Sequence, residues 1–475
     1  MRTFAGIPFR VGIIYASAFV VAFWVYSYLW VKAPIMVADS GSYLRAAQDL
    51  SDLHMDQLQD RPPGYPVLLL ITQSSDSPTR RLFLVSLALH FVSVWLLASV
   101  LHRAGLSQPQ LILFCFILLL PPYVEAAGYV LSENLAEVEL SVGFLGAVLW
   151  TLHRRTVWIC IASLAVAIAA LTRPAYQFLA CALVGYLWLS AVLGVAELKS
   201  KDLIRGGAIL ICGSALILGG YAFLNYRSFG RFTVTPRLGL TLSTKTFGVL
   251  ERLPDEYAPI RAELIRARNQ EAAAGQFRPG TTAIWSAVPE LTRITGLQRP
   301  ELSDYMLKLN LLLIRKAPLN FCQEVVWSFG AYWFPSSDAL ANLNSPVAQG
   351  IWAGIHVGVI GGVALTVMLL SGAAAVSVIL HGRLRALRTS IGVDRVRLVT
   401  FQALVYGLAC SVVLYTAVVS CVIELGIPRY RVPTDALIVF MLFVGIELWR
   451  QVVYVSDAIC SARMNHSGAH LAARA

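Results

Sequence analysis

Long apolar runs alternate with short charged stretches along most of the chain. Apolar runs near the length a helix needs to cross a bilayer, roughly 17 to 25 residues, fall at 11–30, 82–101, 111–127, 135–152, 157–171, 176–195, 206–224, 351–380, 399–422 and 436–449. Ten membrane-spanning helices are therefore predicted. The first run has no small-residue cleavage site behind it, so it is expected to stay as a span rather than act as a signal peptide.

The charges between the runs orient them. Arg103, Arg154 and Arg155, Lys199 and Lys201 with Arg205, the 383–397 stretch and the tail from Arg450 occupy alternate connections. With the N-terminus in the cytoplasm, every short basic loop lies inside, as the positive-inside rule requires. The outer face then receives 31–80, turns at 121–134 and 172–175, a long loop at 225–349, and 424–433.

In the long loop, 257–274 and 303–315 carry helical spacing, and too few runs alternate with strand period for a β-domain. The 321–334 stretch is apolar but short, contains Glu324, and as a span would invert the 383–397 loop. It is expected to be an amphipathic element, rich in Trp and Tyr, on the outer membrane surface. The fold class that follows is all-α and polytopic, in three parts. Residues 1–224 form a seven-span module with its first outer loop at 31–80, 225–349 a large periplasmic loop with amphipathic helices, and 350–475 a three-span module with a cytoplasmic tail.

Composition agrees with this. Of 475 residues, 57% are hydrophobic and 14% charged, outside the range of soluble domains. The net charge of +11 is absorbed by topology, so no nucleic-acid partner is expected. The eight cysteines include no CxxC pair and are expected to be small core residues, not a disulfide or metal framework. There is no Gly-rich nucleotide loop; Gly219-Gly220 and Gly361-Gly362 are expected to be helix-packing sites.

Ionisable residues at the apolar boundaries collect on the outer side: Asp39, Asp60, Arg61, Glu133, Arg173, Arg227, Arg237, Lys245, Glu424, Arg429 and Arg431. Such groups at a membrane boundary point to function. Taken singly, each arginine also fits a headgroup anchor. Ser132 and Glu133 fit a helix N-terminus, with Glu137 one turn further on the same face, and Asp39 fits the cap of a helix beginning near Ser42. Small residues around Asp39 keep its turn open, and Arg429 and Arg431 offer two guanidiniums suited to a phosphate.

Read in order, these stretches form a pattern: Asp39 after the first span, Arg61-Pro-Pro-x-x-Pro66, Ser132-Glu133, Leu171-Thr-Arg-Pro174, Asn225-Tyr-Arg-x-x-Gly230 and Glu424-x-x-x-x-Arg-Tyr-Arg-x-Pro433. The pattern resembles the GT-C superfamily of integral-membrane glycosyltransferases, nearest the bacterial branch related to protein O-mannosyltransferases and lipid A aminoarabinose transferases. The resemblance runs from 11 to 449 and leaves the middle of the long outer loop unmatched. It departs from the O-mannosyltransferases in having Asp39-Ser40 where those carry an acidic pair, which leaves acceptor type and metal use open.

The resemblance implies inverting transfer of a sugar from a polyprenyl-phosphate donor to an acceptor hydroxyl. The acceptor would be a glycan, a lipid or a protein, and the site would lie on the periplasmic face of the inner membrane, among membrane lipids. Asp39, or failing it Glu133, would be the general base. Arg61, Arg173, Lys245, Arg429 and Arg431 would hold the donor phosphate, with Tyr43, Asp60, Tyr65, Arg237 and Glu424 contacting substrate. No cofactor is required, although a divalent cation held by Asp39 and Glu133 stands as an alternative. Two other readings share the lipid-linked ligand: a flippase or transporter, and an oligosaccharide polymerase or ligase. A transporter is expected to show repeats, broken helices or mid-span charges, whereas the acids here stand at the ends of spans.

Overall fold

The computed structural model describes residues 9–29, 34–53, 61–195, 198–275, 282–333 and 393–451, with single positions at 280, 346, 347, 350, 351, 354 and 358. Asp60, Gly361-Gly362, nearly all of the predicted span at 351–380 and the tail beyond 451 lie outside the described residues.

Every extended element among the described residues is a helix. In chain order they are α1 (Phe9–Leu29), α2 (Ser40–Ser51), α3 (Gly64–Ile71), α4 (Arg80–Arg103), α5 (Gln108–Leu118), α6 (Pro121–Val124), α7 (Glu133–His153), α8 (Thr156–Thr172), α9 (Leu179–Val192) and α10 (Ser200–Phe229). There follow α11 (Leu238–Ser243), α12 (Ala258–Ala273), α13 (Ala283–Thr295), α14 (Arg299–Lys316), α15 (Pro318–Trp333), α16 (Val393–Ile423) and, after a 3-10 turn at Pro428–Arg431, α17 at residues 432–451.

Among the described residues six stretches are long and apolar enough to cross a membrane: Arg80–Arg103, Glu133–His153, Pro174–Val192, Ser200–Phe229, Arg395–Ile423 and Pro428–Gln451. Shorter apolar helices lie at Ala16–Tyr26, Gln108–Leu118 and Thr156–Thr172. Each corresponds to a predicted run, with one difference. In the 111–127 run the first helix stops at Leu118, because Pro121 and Pro122 cannot continue it; they instead open a separate short turn of helix, Pro121–Val124, followed by a 3-10 turn at Glu125–Gly128. Eleven residues rise only about 16 Å.

α4, α7, α8 and α10 pack in succession, and α9 lies between α10 and α16. Their shared core joins Leu97, Phe144, Ile159, Leu210, Val405 and Phe440, with Phe144 edge-on to Phe440 at 5.2 Å. The close crossing of α7 and α8 falls at Gly146, where a Cβ would stand 2.9 Å from the Trp158 carbonyl oxygen. Among the described residues the packing role expected of Gly219 and Gly220 is not found: a Cβ at either meets nothing within 4 Å. Composition alone does not tell a glycine with open space beside it from one at a helix crossing.

The cysteine expectation is corrected in part. All seven described cysteines are free thiols, and Cys160, Cys181, Cys212 and Cys322 are exposed on helix surfaces rather than buried. In a membrane protein the lipid-facing surface is as apolar as the core, so an apolar run does not say which way a residue points.

The long loop after α10 has a core of its own, built from Leu240, Phe247, Leu264, Ile284, Leu302 and Leu309. α11 crosses α14 so closely that a Cβ at Gly239 would overlap the Ser303 carbonyl. The helix α13 was not legible in the sequence, since Pro289 sits inside it and reads as a breaker. Burial of Ile284, Ala287 and Leu291 holds it helical.

Candidate active site

The site gathers where α7 and α17 begin, α8 ends, and the segments before α2 and α3 meet them. The chain ahead of α2 is pinned first. Ile35 N–H donates to Gly128 O (2.8 Å) and Val130 N–H to Ile35 O (3.1 Å), an isolated parallel bridge to the residues leading into α7. Ser40, fully buried, accepts from Val37 N–H (2.9 Å) and donates to Val130 O (3.0 Å). This pairing sets Asp39 beside the N-terminus of α7, where Glu133 is the first helical residue.

Asp39 occupies the N-cap position of α2, yet its side chain makes no capping hydrogen bond. Its two oxygens go elsewhere. Oδ1 is 2.5 Å from Arg61 Nη2, and Oδ2 is 2.9 Å from Arg429 Nη1. Arg61 also donates to Ser42 Oγ through Nε (2.9 Å) and lies 4.3 Å from the Tyr43 ring centroid. The Tyr43 hydroxyl is 3.1 Å from Ser132 Oγ, and Tyr65 packs edge-on beneath Tyr43 at 4.8 Å.

Arg429 bridges both acids, for its Nε donates to Glu133 Oε1 at 2.7 Å. The same Oε1 is 3.1 Å from Arg173 Nη1, and the Arg173 guanidinium lies 5.4 Å from the Tyr430 ring centroid. Arg61 and Arg173 are brought together because the start of α3 lies on the end of α8: a Cβ at Gly64 would strike Thr172 and stand 2.8 Å from the Leu171 carbonyl oxygen.

Two carboxylates against three guanidiniums leave one positive charge over. Burial opposes ionisation of Asp39, but Arg61, Arg429 and the nearby Arg237 outweigh it and hold its carboxyl well below the usual carboxylate range. The two acids differ in access. The Asp39 side chain is 33% exposed and the Glu133 side chain 1%.

The remaining sequence candidates are distributed otherwise. Arg237 stacks over Trp285 at 4.6 Å, within reach of Asp39 by charge. Glu424 is half-buried beside Tyr430. Arg431 turns away from the cluster, 1% exposed, donating to Asp435 Oδ1 (2.7 Å) and Tyr332 O (2.6 Å). Lys245 is buried and donates to Ser328 Oγ on α15. Tyr65 is fully buried and supports Tyr43 rather than facing solvent, and Arg227 is exposed in the last turn of α10. Glu137 is drawn into the bundle, where His90 Nδ1 lies 2.9 Å from Oε2 and His90 Nε2 donates to Leu118 O at 2.8 Å.

No family model and no curated protein matches this chain. Among solved structures it is similar to the Archaeoglobus fulgidus oligosaccharyltransferase in its apo form (TM-score 0.47) and in complex with an inhibitory peptide and a dolichol-phosphate (TM-score 0.46). Identity is 14% in each case, over 94% of this chain and 52% of the other. The chain thus spans about half the length of those proteins, and a likeness this distant leaves its chemistry to be argued from the site.

Sequence reasoning did not assign roles to Ser40, Ser42 or His90, which belong to no motif that marks a partner. Nor did it find Glu139, which accepts from the Thr172 hydroxyl at 2.9 Å just inside Arg173. A divalent cation does not fit the arrangement. Arg429 stands between Asp39 and Glu133, and among the described residues no three His, Cys, Asp or Glu side chains gather. What the cluster offers is a reachable carboxylate set among cations at the end of an apolar bundle.

Proposed function

We propose that the chain is an inverting GT-C-type glycosyltransferase that takes a sugar from a polyprenyl-phosphate donor and passes it to an acceptor hydroxyl. The observation that carries this reading is the cluster of Asp39 with Arg61, Arg429 and Arg173, carrying excess positive charge at one end of an apolar helix bundle. A polyprenyl chain partitions into the bilayer, which leaves the phosphate and sugar at the boundary where these guanidiniums stand. Arginine forks suit phosphate oxygens.

In the reaction, the acceptor oxygen attacks the anomeric carbon while the bond from that carbon to the phosphate oxygen breaks. The acceptor proton passes to Asp39, and the negative charge leaves on polyprenyl phosphate, where Arg429, Arg61 and Arg173 stabilise it. Arg429 links the two events. A guanidinium turned toward phosphate holds Asp39 less tightly, so donor binding raises the basicity of the carboxylate that must accept the proton. Glu133, buried and bound to Arg429 and Arg173, keeps those two arginines in place. Arg431, paired with Asp435, serves the fold.

The same reading sets the membrane orientation. Arg103, Arg154, Arg155, Lys201, Arg205 and Arg395 lie at the other ends of the helices that converge on the cluster. Arg205 there reaches Thr156 Oγ1 at 2.7 Å. By the positive-inside rule that end is cytoplasmic and the site is periplasmic, in a ten-span chain of the inner membrane. The decisive variant is Asp39→Asn, which keeps shape and removes the base. Turnover with a polyprenyl-phosphate sugar is expected to fall by about 10² to 10⁴ with donor affinity retained; near-normal turnover refutes the assignment.

A further inference from the structure

We propose that α15 rests on the membrane surface, seated on anionic phospholipid, and that through its inner face it sets the position of Arg429. The second half rests on the glycosyltransferase reading; the first does not.

The outer face of α15 is open and mostly apolar, with the exposed Gln323 among its apolar residues. Leu319 is 76% and Val326 70% exposed, and with the exposed Cys322 they stand at i, i+3 and i+7 along one helical face, with Trp327 beside them. At its foot is a basic group. Arg315 and Lys316 are exposed, only Ala317 separates them from α15, and Lys316 and Arg252 exchange hydrogen bonds (2.8 and 3.2 Å) through their side chains and carbonyls. Three cations beside an apolar stripe carrying a tryptophan match an anionic headgroup layer over acyl chains.

The height of the helix agrees. Tyr332 packs on Ala417 and Cys421, in the last two turns of the apolar α16, so α15 lies level with the end of a span.

The inner face of the same helix holds the arginine turn. Ser328 takes a hydrogen bond from Lys245, and its backbone lies against Gly426, where a Cβ would stand 2.5 Å from the Ser328 carbonyl oxygen. Gly426 also has φ of +62°, so the contact and the backbone both require glycine. Tyr332 O accepts from Arg431, and Phe329 and Tyr332 share a cluster with Tyr430. The chain from Gly426 to Arg431 is thus fastened to α15 at both ends, with Arg429 between the fastenings. Seating α15 on lipid therefore restrains the guanidinium that bridges Asp39 and Glu133.

The test uses the full chain in nanodiscs of an equal mixture of POPC and POPG. With Val326 replaced by photo-reactive p-benzoylphenylalanine, irradiation is expected to give phospholipid adducts enriched in POPG, and Arg315→Ala with Lys316→Ala is expected to remove the enrichment. Adducts to a second copy of the chain or to another protein overturn the lipid seat, as does the absence of lipid adduct. Binding of polyprenyl phosphate is then compared in Val326→Asp, Leu319→Asp and Arg429→Ala. The aspartates, placed outside the packed face, are expected to weaken it about tenfold, approaching Arg429→Ala. Loss in Arg429→Ala alone overturns the coupling and leaves the active site standing. Unchanged binding in all three overturns both the coupling and the phosphate role of Arg429.

Discussion

Replacing Arg429 tests the site as a physical object, without any substrate. Its two contacts differ in worth. The bond from Nε to Glu133 Oε1, 2.7 Å, ends on an acid only 1% exposed, where removing the partner leaves a buried charge. Loss of a buried partner costs about 3 to 5 kcal/mol, but Arg173 remains 3.1 Å from the same oxygen, so the lower end, about 3 kcal/mol, applies to Arg429→Ala. The bond from Nη1 to Asp39 Oδ2, 2.9 Å, ends on a side chain 33% exposed, and solvent screening reduces it to about 1 kcal/mol or less.

Arg429→Lys should recover little, since one ammonium cannot serve two acids that the guanidinium reaches through different nitrogens. If the cost lies in the uncompensated Glu133 charge, Glu133→Gln in the Arg429→Ala background should restore part of the loss, a coupling of about 1.5 to 3 kcal/mol. The assay is unfolding of the purified protein, in a double-mutant cycle over Arg429 and Glu133. Additivity within about 0.5 kcal/mol refutes the reasoning, because the bridge would then carry no energy of its own.

Other outcomes follow from the same geometry. Because the Asp39 carboxyl is held below its ordinary value in the folded protein, its contribution is present above the unfolded value near pH 4 and is lost as pH falls through the folded value. The stability gap between the native chain and Asp39→Asn should narrow below about pH 4, and a gap that widens on acidification contradicts the ion pairs. Gly64→Ala drives a Cβ against Thr172 and the Leu171 carbonyl, so a loss of about 1 to 3 kcal/mol is expected. Gly219→Ala, with open space around it, should be neutral or slightly stabilising, and equal melting of the two removes the close contact. In intact cells an impermeant thiol reagent should label Asp52→Cys, at the site end, and spare Lys201→Cys, at the basic end; the reverse pattern inverts the orientation.

Along the chain, the spans are readable because a helix in lipid must satisfy its own backbone and expose apolar side chains over a fixed thickness. That constraint acts on contiguous residues, so pattern suffices to place Arg80–Arg103 or Glu133–His153. The candidate acids and arginines are legible for a related reason, since charge at a span boundary is costly enough to be conspicuous. Which of them meet is another matter. Asp39, Arg61, Glu133, Arg173 and Arg429 are scattered over most of the chain, and the packing of α3 on α8 and of the 35–40 segment on the entry to α7 assembles them.

Arg429 and Arg431 look equivalent in the sequence. On a 3-10 turn each residue advances about 120°, so two residues apart they face different sides. One reaches Asp39 and Glu133, while the other enters the protein to meet Asp435 and Tyr332. Lys245 and Tyr65 were taken inward in the same way, by the packing of α15 and Tyr43 around them. Composition determined that these side chains stand near a membrane boundary. Only the tertiary contacts decided which face each presents, because the direction of a side chain in a short turn depends on neighbours far away in sequence.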